Sequence, residues 1–429
     1  MTGLVLQASD IATTELPSHF DHQHELLVVG GGPSGFMAAI TAAENGVVSP
    51  LILEATSSPL QKVLISGGGR CNITHACWDS RDLVDYYPRG RQALLGAFHR
   101  FACADVVNWF SDRGLKIVAE SDGRMFPSSN RSSSVIDCLR STSQKVGVSL
   151  RLKSAVRDLQ FSKKNGFLLT CKDDTKYASQ KVLLATGGHP LGRRLSQLVG
   201  HSIVQPVPSL FSLGLDASWL KDCSGIALDN IALTLHTSDK KFQEIGRVLL
   251  THWGISGPAV LRLTAFAARE LHRLSYKGRL TVNWLANFHR SSISKILNQF
   301  RYEGASKTLL QARPFRALPK RLWLVLLKQI RVDSSLRWAE LSSQKELALL
   351  EALTASQYEI SGRGPFGEEF VTAGGVPLSE VDSVRLESRI CPGLYFAGEL
   401  LDIDGVTGGF NFQHCWTSGW LAGKAIAYS

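Results

Sequence analysis

The stretch ELLVVGGGPSGFMAAITAAENG, Glu25 to Gly46, changes its pattern twice within 22 residues. Leu26 to Val29 is wholly apolar, as a parallel strand covered on both faces requires. Gly30, Gly32 and Gly35 then match G-x-G-x-x-G, with Pro33 and Ser34 inside the turn. Alanines, Met37 and Ile40 continue at helical spacing until Asn45–Gly46, a helix stop. A second apolar run, LILE, ends at Glu54, 19 positions after Gly35. This is a βαβ unit with an acid in place. Gly30 permits a tight turn, Gly32 lets the backbone approach a pyrophosphate, and Gly35 lets helix and strand pack closely. The helix N-terminus offers free N–H groups to phosphates, and Glu54 offers an acceptor to ribose hydroxyls. A lone G-x-G-x-x-G is weak, but one set between strand and helix, with the acid following, points to a bound dinucleotide.

The remaining composition narrows the class. The chain has 429 residues, 44% of them hydrophobic, so two or three domains are expected, since single cores rarely exceed about 250–300 residues. No apolar run approaches the roughly 20 residues of a membrane span. Residues 1–24 lack a basic start followed by an apolar stretch, so they read as an N-terminal extension rather than a secretory signal. Eight cysteines are scattered without a CxxC pair, which fits reduced thiols in a cytoplasmic protein. Cys71, His75 and Cys77 lie near one another in sequence, but no second ligand pair follows, and no metal is expected. The formal charge is +10. Its densest basic segment, RPFRALPKRLWLVLLKQIR (Arg313 to Arg331), is best read as an amphipathic helix with a solvated face; an RNA-facing patch is the sharper alternative.

Further along, residues 78–150 read as mostly helical. Short alternating runs joined by KKNG and KDDTK then signal hairpins, and Val182 to Ala185 is again strand-like before Thr186-Gly187-Gly188. The expected organisation is α/β: an N-terminal extension (1–24), a discontinuous Rossmann-like domain (25–199 and 362–429), an inserted β-rich domain (200–290) and a small helical subdomain (291–361).

The stretch LISGGGRCNITHAC, Leu64 to Cys77, needs a separate explanation, because three glycines leave the backbone bare beside polar side chains. Together with VVGGGPSGFMAA, LATGG, THWGISGPAVL, FVTAGGVPLSEVD and GLYFAGELLDIDGVTGGFNFQ, it resembles the aminoacetone oxidase-like or BaiN-type family of bacterial FAD-dependent oxidoreductases. The motifs occur in the family's order from about residue 25 to the end. One departure is that TGGHPLGRR stands where the family carries a GS-x-GDG stretch.

The resemblance implies that Gly67, Gly68 and Gly69 lie along a non-covalent FAD. Arg70 is expected to offer charge-assisted donors to phosphate, and Asn72 and Thr74 polar contacts to flavin or ribitol. Cys71 reads as a packed thiol, with a redox role as the alternative. Thr186, Gly187 and Gly188 form a further cofactor loop, and the backbone at Val156 contacts adenine. Glu399, after Gly398, takes the place of an acid that binds ribitol hydroxyls. The turn ending in Gly408 and Gly409 brings the amides of Asn411 and Phe412 toward the flavin. His252 of THWGISGP is a weak catalytic candidate beside Cys71, and a packed turn accounts for it equally well.

The implied activity is hydride transfer between NAD(P)H, or oxygen, and a small-molecule substrate through bound flavin. NAD(P)H would visit transiently, since no second dinucleotide fingerprint appears. Activities attributed to the family span amine oxidation, reduction of steroid-like enones and reduction of uridine in ribosomal RNA. The alternatives are therefore a ribosomal RNA uridine reductase, or an RNA-binding assembly protein that keeps FAD as a structural element.

Overall fold

Four parallel strands end level with one another, and that alignment organises the first part of the molecule. The computed structural model describes residues 20–364 and 371–429. Val29 pairs with Leu53 on one side and Leu184 on the other, and Leu184 pairs with Phe396. The seven-stranded sheet runs Ser149–Arg151, Leu51–Leu53, His22–Val29, Lys176–Leu184, Gly166–Cys171, Val156–Ser162, with Leu394–Phe396 also on Lys176–Leu184. Its first strand begins at His22, inside the segment expected to be an extension. The last three strands of the main run pair antiparallel, an excursion that returns to a parallel strand. Leu26, Leu27 and Val28 are fully buried, as a doubly covered strand requires.

The first helix, Pro33–Glu44, packs against the last, Phe410–Ala427. Small residues set that approach. A Cβ on Gly419 would stand 2.6 Å from the Ser34 carbonyl oxygen, and one on Gly423 2.5 Å from that of Ala38. Residues 78–150 are not all helical: Ile117–Ala119 and Arg124–Pro127 form a hairpin, extended by Thr74–His75. Asp122-Gly123 between them carries the turn signal, with Gly123 at φ +85°.

The chain divides into two compact units, one ending at Pro206 and resuming at Val371, the other running from Val207 to Phe370. The second unit is a closed antiparallel barrel of Leu213–Leu215, Gly254–Ser256, Lys241–Leu250, Ala227–His236, Gly278–Asn283 and Ser356–Arg363. A 16-residue helix, Pro258–Arg273, interrupts the region expected to be β-rich. The barrel's last strand follows the helices, and Leu235, Leu280, Trp323, Trp338 and Leu353 share one cluster. The division expected at 290/291 therefore runs through a single packed core. In the basic segment, helix Lys320–Gln329 buries Leu322, Trp323 and Leu326 and exposes Lys320, Arg321 and Lys328. Its tryptophan is core, with Nε1–H donating to the Leu309 carbonyl at 2.9 Å.

Candidate active site

Four loops leave the level strand ends, and close approach dictates the first. Gly30 has φ +112°, and a Cβ there would stand 2.5 Å from the Ala185 carbonyl oxygen; one on Gly35 would stand 2.1 Å from that of Gly30. Gly32 differs. Its φ of −88° and ψ of −176° suit any residue, and a Cβ would meet nothing within 4 Å. Pro33 starts the helix and Ser34 is buried behind it. The first intrahelical bond runs from Phe36 N–H to the Gly32 carbonyl, which leaves the Ser34 and Gly35 amides outside the helical ladder.

Glu54 ties this turn to its own loop. Its Oε2 accepts from Gly31 N–H at 2.8 Å, and its Oε1 accepts from the Thr56 amide and hydroxyl at 2.8 and 2.7 Å. The Glu54 carbonyl accepts from Ser154 N–H, so the chain entering Val156 lies alongside. Val156 itself is buried at the start of its strand.

Thr186, Gly187 and Gly188 form the third loop. Gly187 has φ +61°, and Thr186 Oγ1 is buried with no hydrogen-bond partner among the described residues. A Cβ on Gly192 would fall 1.8 Å from that oxygen, so the following helix, Pro190–Leu198, can begin here only with glycine. Glu399 lies over the same loop, its carboxylate 2.9 Å from where a Gly188 Cβ would be. It accepts from Thr372 N–H at 3.0 Å and from Lys62 Nζ at 2.6 Å.

The triple glycine follows a different rule. Helix Gln61–Gly69 kinks at Ser66, and Gly67, Gly68 and Gly69 have φ of +56°, +68° and +83°. A Cβ on Gly68 or Gly69 would meet nothing within 4 Å. Arg70 is already engaged: it pairs with Glu120, donates from Nε to Asn130 Oδ1 at 2.9 Å, and lies 3.9 Å over the Phe126 ring. The guanidinium expected to meet phosphate is thus held from the protein side by a carboxylate, an amide oxygen and a ring. Cys71 is fully buried at φ +59°, and burial pushes its thiol up to about 12, against a smaller opposing effect of the Ser66 hydrogen bond.

Asn72 Oδ1 accepts from Met125 N–H at 3.2 Å and lies 3.0 Å from where a Gly409 Cβ would be. Thr74 is buried and donates to Gln413 Oε1 at 2.5 Å, so its hydroxyl serves the core rather than an open face. Gln413 in turn donates to Thr417.

At the C-terminal helix, Gly408 has φ +132° and Gly409, the N-cap, φ +98°. The Asn411 side chain closes the turn, accepting from Gly405 N–H and donating to its carbonyl at 2.9 and 2.8 Å. The first ladder bond runs from Gln413 N–H to the Gly409 carbonyl, so the amides of Asn411 and Phe412 precede it. The Phe412 ring stacks near Trp416, 5.9 Å between centroids. His252 belongs to the second unit, exposed, with its ring edge-on to Trp253 and no hydrogen-bond partner among the described residues.

Residues 24–425 match the model of the HI0933-like protein Rossmann domain. The chain belongs to the HI0933-like family. A 3-dehydro-bile acid delta(4,6)-reductase of Clostridium scindens is 28% identical over 413 residues, 93% of this chain and 98% of that relative. A ribosomal RNA dihydrouridine synthase of Escherichia coli is 26% identical over 413 residues, 94% of this chain and 98% of that relative. Among solved structures, the 3-ketosteroid-delta4-(5alpha)-dehydrogenase of Rhodococcus jostii RHA1 shares the fold, with TM-score 0.53 at 14% identity over 97% of this chain and 99% of that one. The protein is an FAD-dependent oxidoreductase of the HI0933-like family.

The residues present fit such a cofactor. Two helix N-termini carry amides outside their ladders, Gly32 and Gly68–Gly69 are open where a Cβ would project, and Thr186 Oγ1 is a buried polar atom without a partner. Sequence reading passed over Lys62, Gly192, Glu120 and His414. Only Gly192 carried a signal, a glycine inside a helical pattern; Lys62 and Glu120 meet their partners across long separations, and His414 reaches a backbone carbonyl across a turn. Among the described residues, no group of three His, Cys, Asp or Glu could hold a metal, and no helix is long and apolar enough to cross a membrane.

Proposed function

We propose that this HI0933-like protein uses bound FAD to saturate a carbon–carbon double bond conjugated to a carbonyl, with NADH or NADPH as transient reductant. The observation that carries the reading is the meeting, at level strand ends, of the Ser34–Gly35 amides with the Thr186–Gly188 loop and Glu399. The relatives' names supply the chemistry. A 3-keto group beside a Δ4 bond is an enone, and conversion of uridine to dihydrouridine also saturates a bond conjugated to a carbonyl.

In this reading the amides of Ser34 and Gly35 hold the pyrophosphate, and Glu54 keeps lone pairs for a ribose hydroxyl. Glu399, steadied by Lys62, accepts from ribitol hydroxyls. The Asn411 and Phe412 amides at the helix N-terminus favour negative charge placed before them. Asn72 and the bare backbone of Gly67–Gly69 line the same cofactor, and the Val156 backbone its adenine end. Bound FAD supplies the hydride chemistry. Cys71, buried and held as a thiol, serves packing.

Anaerobic addition of NADH or NADPH should bleach the visible flavin band, and a steroid 4-en-3-one should restore it. Bleaching with neither nucleotide would overturn the reductant; no reoxidation by any conjugated enone would overturn the substrate class. A second reading, RNA uridine as the substrate, draws on charge placement. Residues 207–364 hold 22 Lys and Arg against 12 Asp and Glu, and so carry the whole excess of +10. Reoxidation by a uridine-containing ribosomal RNA fragment, together with steeply salt-dependent binding, would favour it.

A further inference from the structure

Glu399 follows a corner that only glycine can make. Gly398 has φ +72°, and a Cβ there would stand 2.6 Å from Ser34 Oγ. Both polar groups of Gly398 are gripped from the closing helix. Its N–H donates to Ser418 Oγ at 2.9 Å, and its carbonyl accepts from His414 Nε2 at 3.2 Å. The Ser418 hydroxyl donates in turn to the His414 carbonyl at 2.6 Å, so the two gripping residues, four apart on one helical face, are themselves linked.

His414 is unusual for a packed residue. Only 3% of it is exposed, and Nδ1 is buried without a partner among the described residues. It lines a small apolar cavity with Leu94, Ala97, Leu386, Ile403 and Leu421. A carbonyl only accepts, so the ring's one N–H must stand on Nε2. Burial draws the imidazole down to about 4, against smaller opposing effects of the Gly398 hydrogen bond and the Glu399 charge, which keeps it neutral near pH 7. A neutral ring in one tautomer gives the Gly398 carbonyl a fixed donor with no second charge close to the carboxylate. An apolar side chain would have filled this space at lower desolvation cost.

We infer that His414 and Ser418 are positioning residues that set the direction of the Glu399 carboxylate at the bound cofactor. Rotation of the Gly398 peptide would swing Glu399 away from Lys62, Thr372 and the Gly187–Gly188 loop. This inference rests on the placement of Glu399 at FAD proposed above.

The test titrates apoprotein with FAD, followed by flavin fluorescence. His414→Leu should weaken FAD at least tenfold. His414→Gln, which presents an N–H at similar reach, should recover affinity to within about threefold of the parent. In a Glu399→Gln background, His414→Leu should add no further loss, because its effect acts through that carboxylate. Ser418→Ala, a smaller change, should show the same non-additivity. Equal losses from His414→Leu or Ser418→Ala in both backgrounds, or no recovery with Gln, would overturn the inference alone. Unchanged affinity in Glu399→Gln by itself would overturn the placement of Glu399 and the inference with it.

Discussion

Two glycine clusters serve this protein, and they use glycine for opposite reasons. At Gly30 and Gly35 the missing Cβ matters because other backbone already stands there, 2.5 and 2.1 Å away. At Gly68 and Gly69 nothing stands within 4 Å, and glycine is needed because φ is +68° and +83°. The first cluster is a packing requirement of the sheet and helix, to which Gly30 adds a φ of +112°, whereas the second is conformational alone, a left-handed run that leaves backbone bare. Gly32 belongs with neither, having ordinary dihedrals and open space in front. Adjacent glycines in one motif can therefore have separable effects on folding and on cofactor.

Substitution should separate them. Gly35→Ala, forced against the Gly30 carbonyl, should cost on the order of 4 kcal/mol or more and abolish soluble expression; a folded variant with a parental melting temperature would break the contrast. Gly32→Val should leave the apoprotein's melting temperature within about 2 °C of the parent. It should also weaken FAD by about a hundredfold or more, roughly 2.7 kcal/mol, when apoprotein is titrated with the cofactor. Full retention of FAD would place the dinucleotide elsewhere. Gly68→Ala should cost about 1–2 kcal/mol through its left-handed backbone, and Gly68→Asn distinctly less, as read by urea unfolding. Equal costs for Ala and Asn would mean that space, not conformation, governs that loop.

Smaller effects should come from the residues that follow. Arg70→Ala removes the Phe126 stack and a pair about a third exposed on each side, where solvent screens the charge. A stability loss of about 1.5 kcal/mol is expected, with FAD affinity changed less than about threefold. A loss of affinity above tenfold would restore the phosphate role. Cys71→Ala should be mildest, costing about 1 kcal/mol or less, with flavin content and reduction by nicotinamide unaltered. A protein that keeps its flavin but can no longer be reduced would make Cys71 catalytic.

Local conformation was written in the chain. The apolar run Leu26–Val29, the spacing of Gly30, Gly32 and Gly35, and the hairpin returning to Val182–Leu184 are short-range patterns, because strand period, helix period and positive φ are properties of neighbouring residues. Motif order likewise carried the family and its flavin. The hairpin at Ile117–Pro127 escaped reading because its strands are short and lie between helices, although Asp122-Gly123 marked its turn. The barrel and the helices set between its last two strands share a core that no boundary in composition announced.

Side-chain partnerships were decided only by the tertiary structure. Arg70 meets Glu120 50 residues away, and Thr74 meets Gln413 339 residues away. Glu399 meets Lys62 across 337. An arginine in a glycine loop has the same donors whether a phosphate or a glutamate lies before it. Which one it meets depends on how the sheet brings distant loops to the same edge, and no short-range pattern encodes that.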